Sequence, residues 1–66
     1  MLSRIGETAG KIWSVLVEEN GAMSVGQLGK KTKLPKDWLC MGIGWLARED
    51  KLRFSGTPDI FEVSLK

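Results

Sequence analysis

The sequence predicts an α+β fold, three helices followed by a C-terminal β-hairpin, on three observations. Apolar residues recur at helical spacing in two long segments, about residues 4–20 and 35–49. A serine capping pattern opens a shorter helix between them, and from Leu52 to Leu65 the period falls from helical to alternating. Everything is arranged around the segment Leu34-Pro35-Lys36-Asp37-Trp38-Leu39-Cys40-Met41-Gly42-Ile43-Gly44-Trp45-Leu46-Ala47-Arg48-Glu49-Asp50. A proline opens it and an αL-tolerant aspartate closes it, which predicts a helix from about Pro35 to Glu49.

The first helix is expected over residues 4–20, with Ser3 as its cap, Glu7 in its first turn near the positive end of the dipole, and Asn20-Gly21 as its stop. Ile5, Ala9, Ile12 and Leu16 form one continuous core stripe. Beside it runs a second stripe at the same spacing, Gly6, Gly10, Trp13 and Val17. A glycine inside a helix costs about 1 kcal/mol relative to alanine, so two in register suggest that another backbone comes close. Two neighbours fit that expectation, the third helix of the same chain or a second chain.

Ala22-Met23 reads as a short extended link that can form one bridge of a strand. Ser24-Val25-Gly26-Gln27 then matches a capping box, and Met23 with Leu28 supplies a hydrophobic staple across it. The second helix is expected from Val25 to Thr32, with Val25 and Leu28 inward. Lys33-Leu34 makes the turn, Leu34 plugs it, and Pro35 restarts the helix as its first residue. Lys33 stands where glycine is common in such turns, which predicts mild strain there.

On the third helix Leu39, Ile43, Leu46 and Ala47 form the core arc, with small Gly42 at its edge allowing close contact with a neighbouring helix. Trp38, Met41 and Trp45 follow helical spacing as well and are expected on nearly the opposite side. They form either a second core layer, covered by the hairpin or by the N-terminal segment around Leu2, or an exposed interface. Cys40 is expected to be a small buried apolar residue. In the hairpin, Leu52, Phe54, Phe61, Val63 and Leu65 face inward, Arg53, Glu62 and Ser64 face away, and Ser55-Gly56-Thr57-Pro58-Asp59 forms the loop. No repeat or linker divides residues 1–66, so helix, helix, helix and hairpin make a single winged helix-turn-helix domain.

A chain of 66 residues buries only about 60% of the surface its unfolded form exposes, so a partner subunit would add needed stability. No apolar run approaches the ~20 residues of a membrane span, and the N-terminus lacks the layout of a signal peptide. The single cysteine fits a reducing compartment, so the expected location is cytoplasmic. Without histidine, and with one cysteine, the common metal ligand sets and nucleophile–base pairs are missing. The chain is accordingly expected not to be an enzyme, and to have no cofactor, metal site or small-molecule substrate.

The run Leu34, Leu39, Gly42, Ile43, Leu46, Asp50 and Leu52 resembles the buried positions of winged helix-turn-helix domains over nearly the whole chain. Gly6-Glu7-Thr8-Ala9-Gly10-Lys11-Ile12-Trp13 and Gly44-Trp45-Leu46-Ala47-Arg48-Glu49-Asp50-Lys51 are similar to a narrower family, small stand-alone prokaryotic winged helix-turn-helix proteins of uncharacterised function. That resemblance implies the fold, a DNA-binding label and dimerisation, with no catalytic residues.

The expected function is that of a DNA-binding winged-helix protein, a transcriptional regulator, with weak or non-specific phosphate contacts. Of the positions that face the major groove in such folds, only Lys36 is a good reader of base edges, and Asp37 would meet phosphate repulsion. The loop residues Ser55 to Asp59 carry no cation for a minor groove. Lys30, Lys31, Lys33 and Lys36 around the turn, with Arg48, Lys51 and Arg53 near the base of the wing, can either track a phosphate backbone or simply solvate the domain. The competing expectation is a homodimerisation or protein-protein interaction module that has lost base readout. Its candidate interfaces are the Gly6-Gly10-Trp13-Val17 stripe and the Trp38-Met41-Trp45 stripe. The expected partners are thus a second copy of the chain and duplex DNA, with no membrane.

Overall fold

The structure, a computed structural model, describes residues 2–57 and 59–66; the Leu2 side chain and Pro58, which the expected cover of Trp38 and the wing loop involve, fall outside the described residues. Its elements are α1 (Leu2–Glu19), β1 (Met23–Ser24), α2 (Val25–Thr32), α3 (Lys36–Arg48), β2 (Leu52–Gly56) and β3 (Phe61–Leu65). The strands form an antiparallel sheet of order β1-β3-β2. Met23 pairs with Val63 and Phe54 also stands opposite Val63, so the short link before α2 becomes the third strand beside the hairpin. This is a winged helix-turn-helix.

α1 begins at Leu2, so Ser3 lies inside the helix instead of capping it, and no acidic residue falls in its first turn. Tertiary packing reaches that turn through the Arg4 guanidinium, 5.6 Å from the centre of the Trp38 ring, while within the helix the Thr8 hydroxyl donates to the Arg4 carbonyl at 2.8 Å. The helix stops at Asn20, which takes the left-handed conformation (φ 53°) and donates its N–H to the Leu16 carbonyl at 3.0 Å.

The capping box of α2 forms as its spacing predicts. The Gln27 N–H donates to Ser24 Oγ at 3.1 Å and the Ser24 N–H donates to Gln27 Oε1 at 2.9 Å. At the other end Lys33 is left-handed (φ 59°) and donates its N–H to the Gly29 carbonyl at 2.8 Å. The Thr32 hydroxyl donates to the Leu28 carbonyl at 2.7 Å and accepts the Leu34 N–H at 3.3 Å, which ties the strained residue from both sides. Leu34 plugs the turn half-buried against the core.

Pro35 is the N-cap of α3 and not its first helical residue, because its extended ψ of 153° is needed to close the turn. Its carbonyl accepts the Leu39 N–H at 3.0 Å. α3 ends in a Schellman pair, the Asp50 N–H donating to the Ala47 carbonyl at 3.0 Å and the Lys51 N–H to the Leu46 carbonyl at 3.1 Å, with Asp50 left-handed at φ 59° where glycine is usual. The Asp50 carboxylate also pairs with the ammonium of Lys66, whose own N–H donates to the Lys51 carbonyl at 3.1 Å.

Ala9, Ile12, Leu16, Met23, Leu28, Leu39, Ile43, Leu46, Leu52 and Val63 make up the core. Ile5, Val25 and Ala47, expected in it, sit half-buried at its rim. The most extensive helix contact joins α1 to α3 and runs through Gly42, not through the glycines of α1. A Cβ at Gly42 would lie 2.7 Å from Ile12 Cδ1, 3.0 Å from Thr8 Cγ2 and 3.4 Å from the Ala9 nitrogen, whereas one at Gly6 or Gly10 would meet nothing within 4 Å. The third helix is therefore not the neighbour that the α1 glycines admit.

The wing loop is shorter than expected, because Ser55 and Gly56 belong to β2 and the connection runs over residues 57–60. The Thr57 N–H donates to the Ile60 carbonyl at 2.9 Å and the Ile60 N–H to the Thr57 hydroxyl at 3.2 Å. Gly56 is required at φ 100°, where a Cβ would stand 2.5 Å from the Ile60 carbonyl oxygen.

The two glycines of α3 should respond oppositely to substitution. Gly42→Val forces a branched side chain into the α1 contact and should destabilise the domain by about 2–3 kcal/mol. Gly44→Ala, at a site where a Cβ meets nothing within 4 Å, should stabilise it by roughly 0.5–1 kcal/mol. Urea denaturation of both variants beside the wild type measures this, and equal effects would show that α1 and α3 do not approach at Gly42.

Candidate functional site

The Gly42 contact fixes which way α3 faces. With about 100° per residue, positions two before and two after Gly42 point away from α1, and Cys40 and Gly44 are indeed exposed there, beside exposed Lys36, Asp37 and Arg48. Cys40 is thus a surface residue and not a buried one. By the same geometry Trp38 and Trp45 fall roughly 40–60° from Gly42 on the helix wheel, so they flank the α1 contact instead of opposing it. Trp38 and Met41 are half-buried, and Trp45 retains 37% of its surface. Arg4 over Trp38 supplies part of the cover.

One open groove gathers residues from three elements beside this outward face. Ser24, Val25 and Gly26 at the start of α2, Lys36 and Cys40 on α3, and Asp59, Ile60 and Phe61 from the wing line it. Ile60 is 81% exposed, and Phe54 projects beside Phe61 with ring centres 5.8 Å apart. Ile60 was not singled out by the pattern of alternation. The signal was present in parity: Phe61, Val63 and Leu65 face inward, so an apolar residue just before Phe61 falls on the solvent side.

The predicted cations separate into groups. Lys30, Lys33 and Lys36 are exposed around the turn, and Arg48, Lys51 and Arg53 are exposed from the end of α3 into β2. Lys31 is directed elsewhere: its ammonium pairs with Glu19 at 3.5 Å, and it lines the cleft between α1 and α2 together with Glu7 and Lys11. Between the two groups of cations the α3 surface offers Cys40 and Gly44, neither of which can make bidentate contacts to a base edge. Asp37 and Asp59 place two carboxylates on the same side of the molecule as Lys36, Asp37 one residue along α3 and Asp59 across the groove.

On the far side of the molecule the Gly6-Gly10-Trp13-Val17 stripe is uncovered. Trp13 is 44% and Val17 47% exposed, above open space at both glycines. Among the described residues no group of three or more His, Cys, Asp or Glu could hold a metal ion, and no helix is long and apolar enough to cross a membrane.

Comparison with known proteins agrees with the fold. A family model described as a winged helix-turn-helix domain (DUF2582) matches residues 1–64. The chain is 47% identical over 55 residues to the uncharacterized protein MJ1608 of Methanocaldococcus jannaschii, a similarity covering 79% of this chain and 76% of that protein. It is also similar to the solution NMR structure of protein BT2368 from Bacteroides thetaiotaomicron, with a TM-score of 0.82 at 30% identity, over 96% of this chain and 76% of that one.

The position of Cys40 can be checked directly. In the folded protein it should react fully with a thiol-specific disulfide reagent, within about an order of magnitude of the rate of an unprotected thiol. A thiol that reacts only after denaturant is added would return Cys40 to the core and reverse the assignment of the outward face.

Proposed function

The chain belongs to the winged helix-turn-helix family whose model spans residues 1–64, and from that premise we propose that it binds duplex DNA through the phosphate backbone, as a regulator with little base-specific readout. The observation that carries this reading is the arrangement around α3. Exposed Lys30, Lys33 and Lys36 stand on one side and Arg48, Lys51 and Arg53 on the other, as phosphate contacts require. The α3 surface between them carries Cys40 and Gly44, neither of which can read a base edge, and Lys36 stands with the phosphate-facing cations beside it. On the wing the Asp59 carboxylate opposes close approach to phosphates, and no cation among the described loop residues reaches toward a minor groove, which further limits sequence discrimination.

A second reading, a homodimerisation or protein-protein interaction module, is favoured by the exposed Trp13 and Val17. The two readings are compatible, because Gly42 turns the outward face of α3 away from α1.

Titration with random duplex DNA at several salt concentrations tests the first reading. Four or five phosphate contacts give a slope of log affinity on log salt of about −3.6 to −4.5. Lys36→Ala should weaken binding to all sequences alike and reduce the slope by roughly 0.9, whereas Lys31→Ala, the residue paired with Glu19, should change neither. Absence of binding at low salt would overturn the proposal, and enrichment of one defined motif from random duplexes would overturn its claim of weak readout.

A further inference from the structure

We propose that the exposed face of α1 is the homodimer interface, and that two copies pair along it antiparallel about a two-fold axis passing near Gly10. This rests on the homodimer reading above and goes beyond it by choosing the face, the orientation and the register. The face consists of Ser3, Gly6, Gly10, Trp13, Ser14 and Val17, which occupy one side of the helix at 100° per residue. Not one of them is charged. Arg4, Glu7, Lys11 and Glu18 all fall outside that arc. A solvent-facing side of a helix is ordinarily its charged side, and here the apolar and small residues hold it while Trp13 and Val17 keep nearly half of their surface in water.

The glycines point the same way. Gly42 has a use inside the fold, but a Cβ at Gly6 or Gly10 would meet no atom within 4 Å. Their weakening of α1 is therefore not compensated by any approach within one chain. With Ser14 they place small residues at i, i+4 and i+8, leaving a shallow furrow beside the ridge of Trp13 and Val17.

A second copy is the occupant that fits. α1 has 18 residues and so is about 27 Å long, close to the 30 Å of the longest dimension of the molecule. The face thus offers an uninterrupted edge that another α1 matches in length. Charge selects the orientation. In a parallel two-fold pair the flank that carries Glu7 and Lys11 lies on the opposite side of the interface from its symmetry mate, so neither charge meets a partner across it. In an antiparallel pair centred on Gly10, Glu7 of each copy comes alongside Lys11 of the other, while Gly6 faces Ser14 and Ser3 faces Val17. One helix pair of this length buries on the order of 1,000 Å², the low end for a specific interface and the size of a reversible one. The outward face of α3 is turned away from α1, so this pairing leaves it open.

Sedimentation and cross-linking test the proposal on the full chain. The wild type should pass from monomer to dimer over micromolar concentrations. Trp13→Glu and, independently, Val17→Glu should weaken self-association at least about tenfold, the size of one desolvated interface contact, with far-UV circular dichroism unchanged. In a Cys40→Ser background, Gly10→Cys should form a disulfide with itself under mild oxidation, since the axis brings the two Cα atoms within disulfide reach. Gly6→Cys and Ser14→Cys should each stay uncross-linked alone and cross-link to one another when mixed. A dimer that ignores both α1 variants but dissociates with Trp45→Glu would keep the homodimer reading and overturn this interface. Self-cross-linking of Gly6→Cys would overturn the antiparallel register, and a wild type that stays monomeric at high micromolar concentration would overturn the homodimer reading itself.

Discussion

The approach of α1 to α3 at Gly42 sets the geometry on which the other contacts depend. Only a residue without a side chain lets Ile12 Cδ1, Thr8 Cγ2 and the Ala9 nitrogen come as close as they do to that point of α3. Once the two helices are at that distance, Ile12, Leu16, Leu39 and Ile43 join one core with Leu28 and Val63, both of which are fully buried. The contact also decides direction. Because Gly42 faces inward, Cys40 and Gly44 face outward, and the surface available to a ligand on α3 is settled by the packing behind it.

Left-handed residues carry the chain around its three helix ends, and none of them is glycine. Asn20, Lys33 and Asp50 take φ values of 53°, 59° and 59°, each at a penalty of about 1 kcal/mol. Local bonds hold each in place: the Leu16 carbonyl for Asn20, the Gly29 carbonyl and the Thr32 hydroxyl at the Lys33 turn, and the Schellman pair with the Lys66 ion pair for Asp50. A side chain at these positions narrows the unfolded ensemble relative to glycine, which partly offsets the strain. The angle between α2 and α3, and with it the position of Lys36 against the start of α2, follows from the Lys33 joint.

What could be read from the chain divides along local and non-local lines. The capping box of Ser24 and Gln27, the strain at Lys33 and the left-handed stop at Asp50 all depend on residues within a few positions of each other, and all were legible. The alternation from Leu52 to Leu65 gave the two strands, but Phe54, expected inward, keeps 52% of its surface exposed, because only Leu52 of that strand reaches the core. The errors share a different cause. Spacing ranks the faces of one helix but does not say which face meets a neighbour, so Gly6 and Gly10 could stand for the close approach that Gly42 makes, and Cys40 could be counted as buried. Trp38 and Trp45 looked opposite to the core because the arc of Leu39, Ile43, Leu46 and Ala47 left Gly42 at its edge, whereas Gly42 is buried and Ala47 only half-buried, which moves the buried side toward the tryptophans. Of the candidate site, the cations were legible as exposed residues, but the direction of Lys31 toward Glu19 depends on how α2 docks on α1, and no local pattern encodes that. The extra turn at the start of α1 has the same origin, since Arg4 on Trp38 belongs to tertiary packing.

The stop of α1 has a chemical consequence as well as a conformational one. Asn20 and Gly21 are both exposed at the end of the helix. Asparagine followed by glycine is the pair in which the next backbone nitrogen most readily attacks the side-chain amide carbon, because glycine puts no side chain in its path. Ammonia leaves as the succinimide ring closes, and water then opens the ring to aspartate or isoaspartate. Either product places a carboxylate beside the negative end of the α1 dipole, where charge of that sign is unfavourable. The residue that ends the longest helix is thus also the point at which stored protein ages, and a preparation becomes more acidic by one unit of charge per chain as it does so.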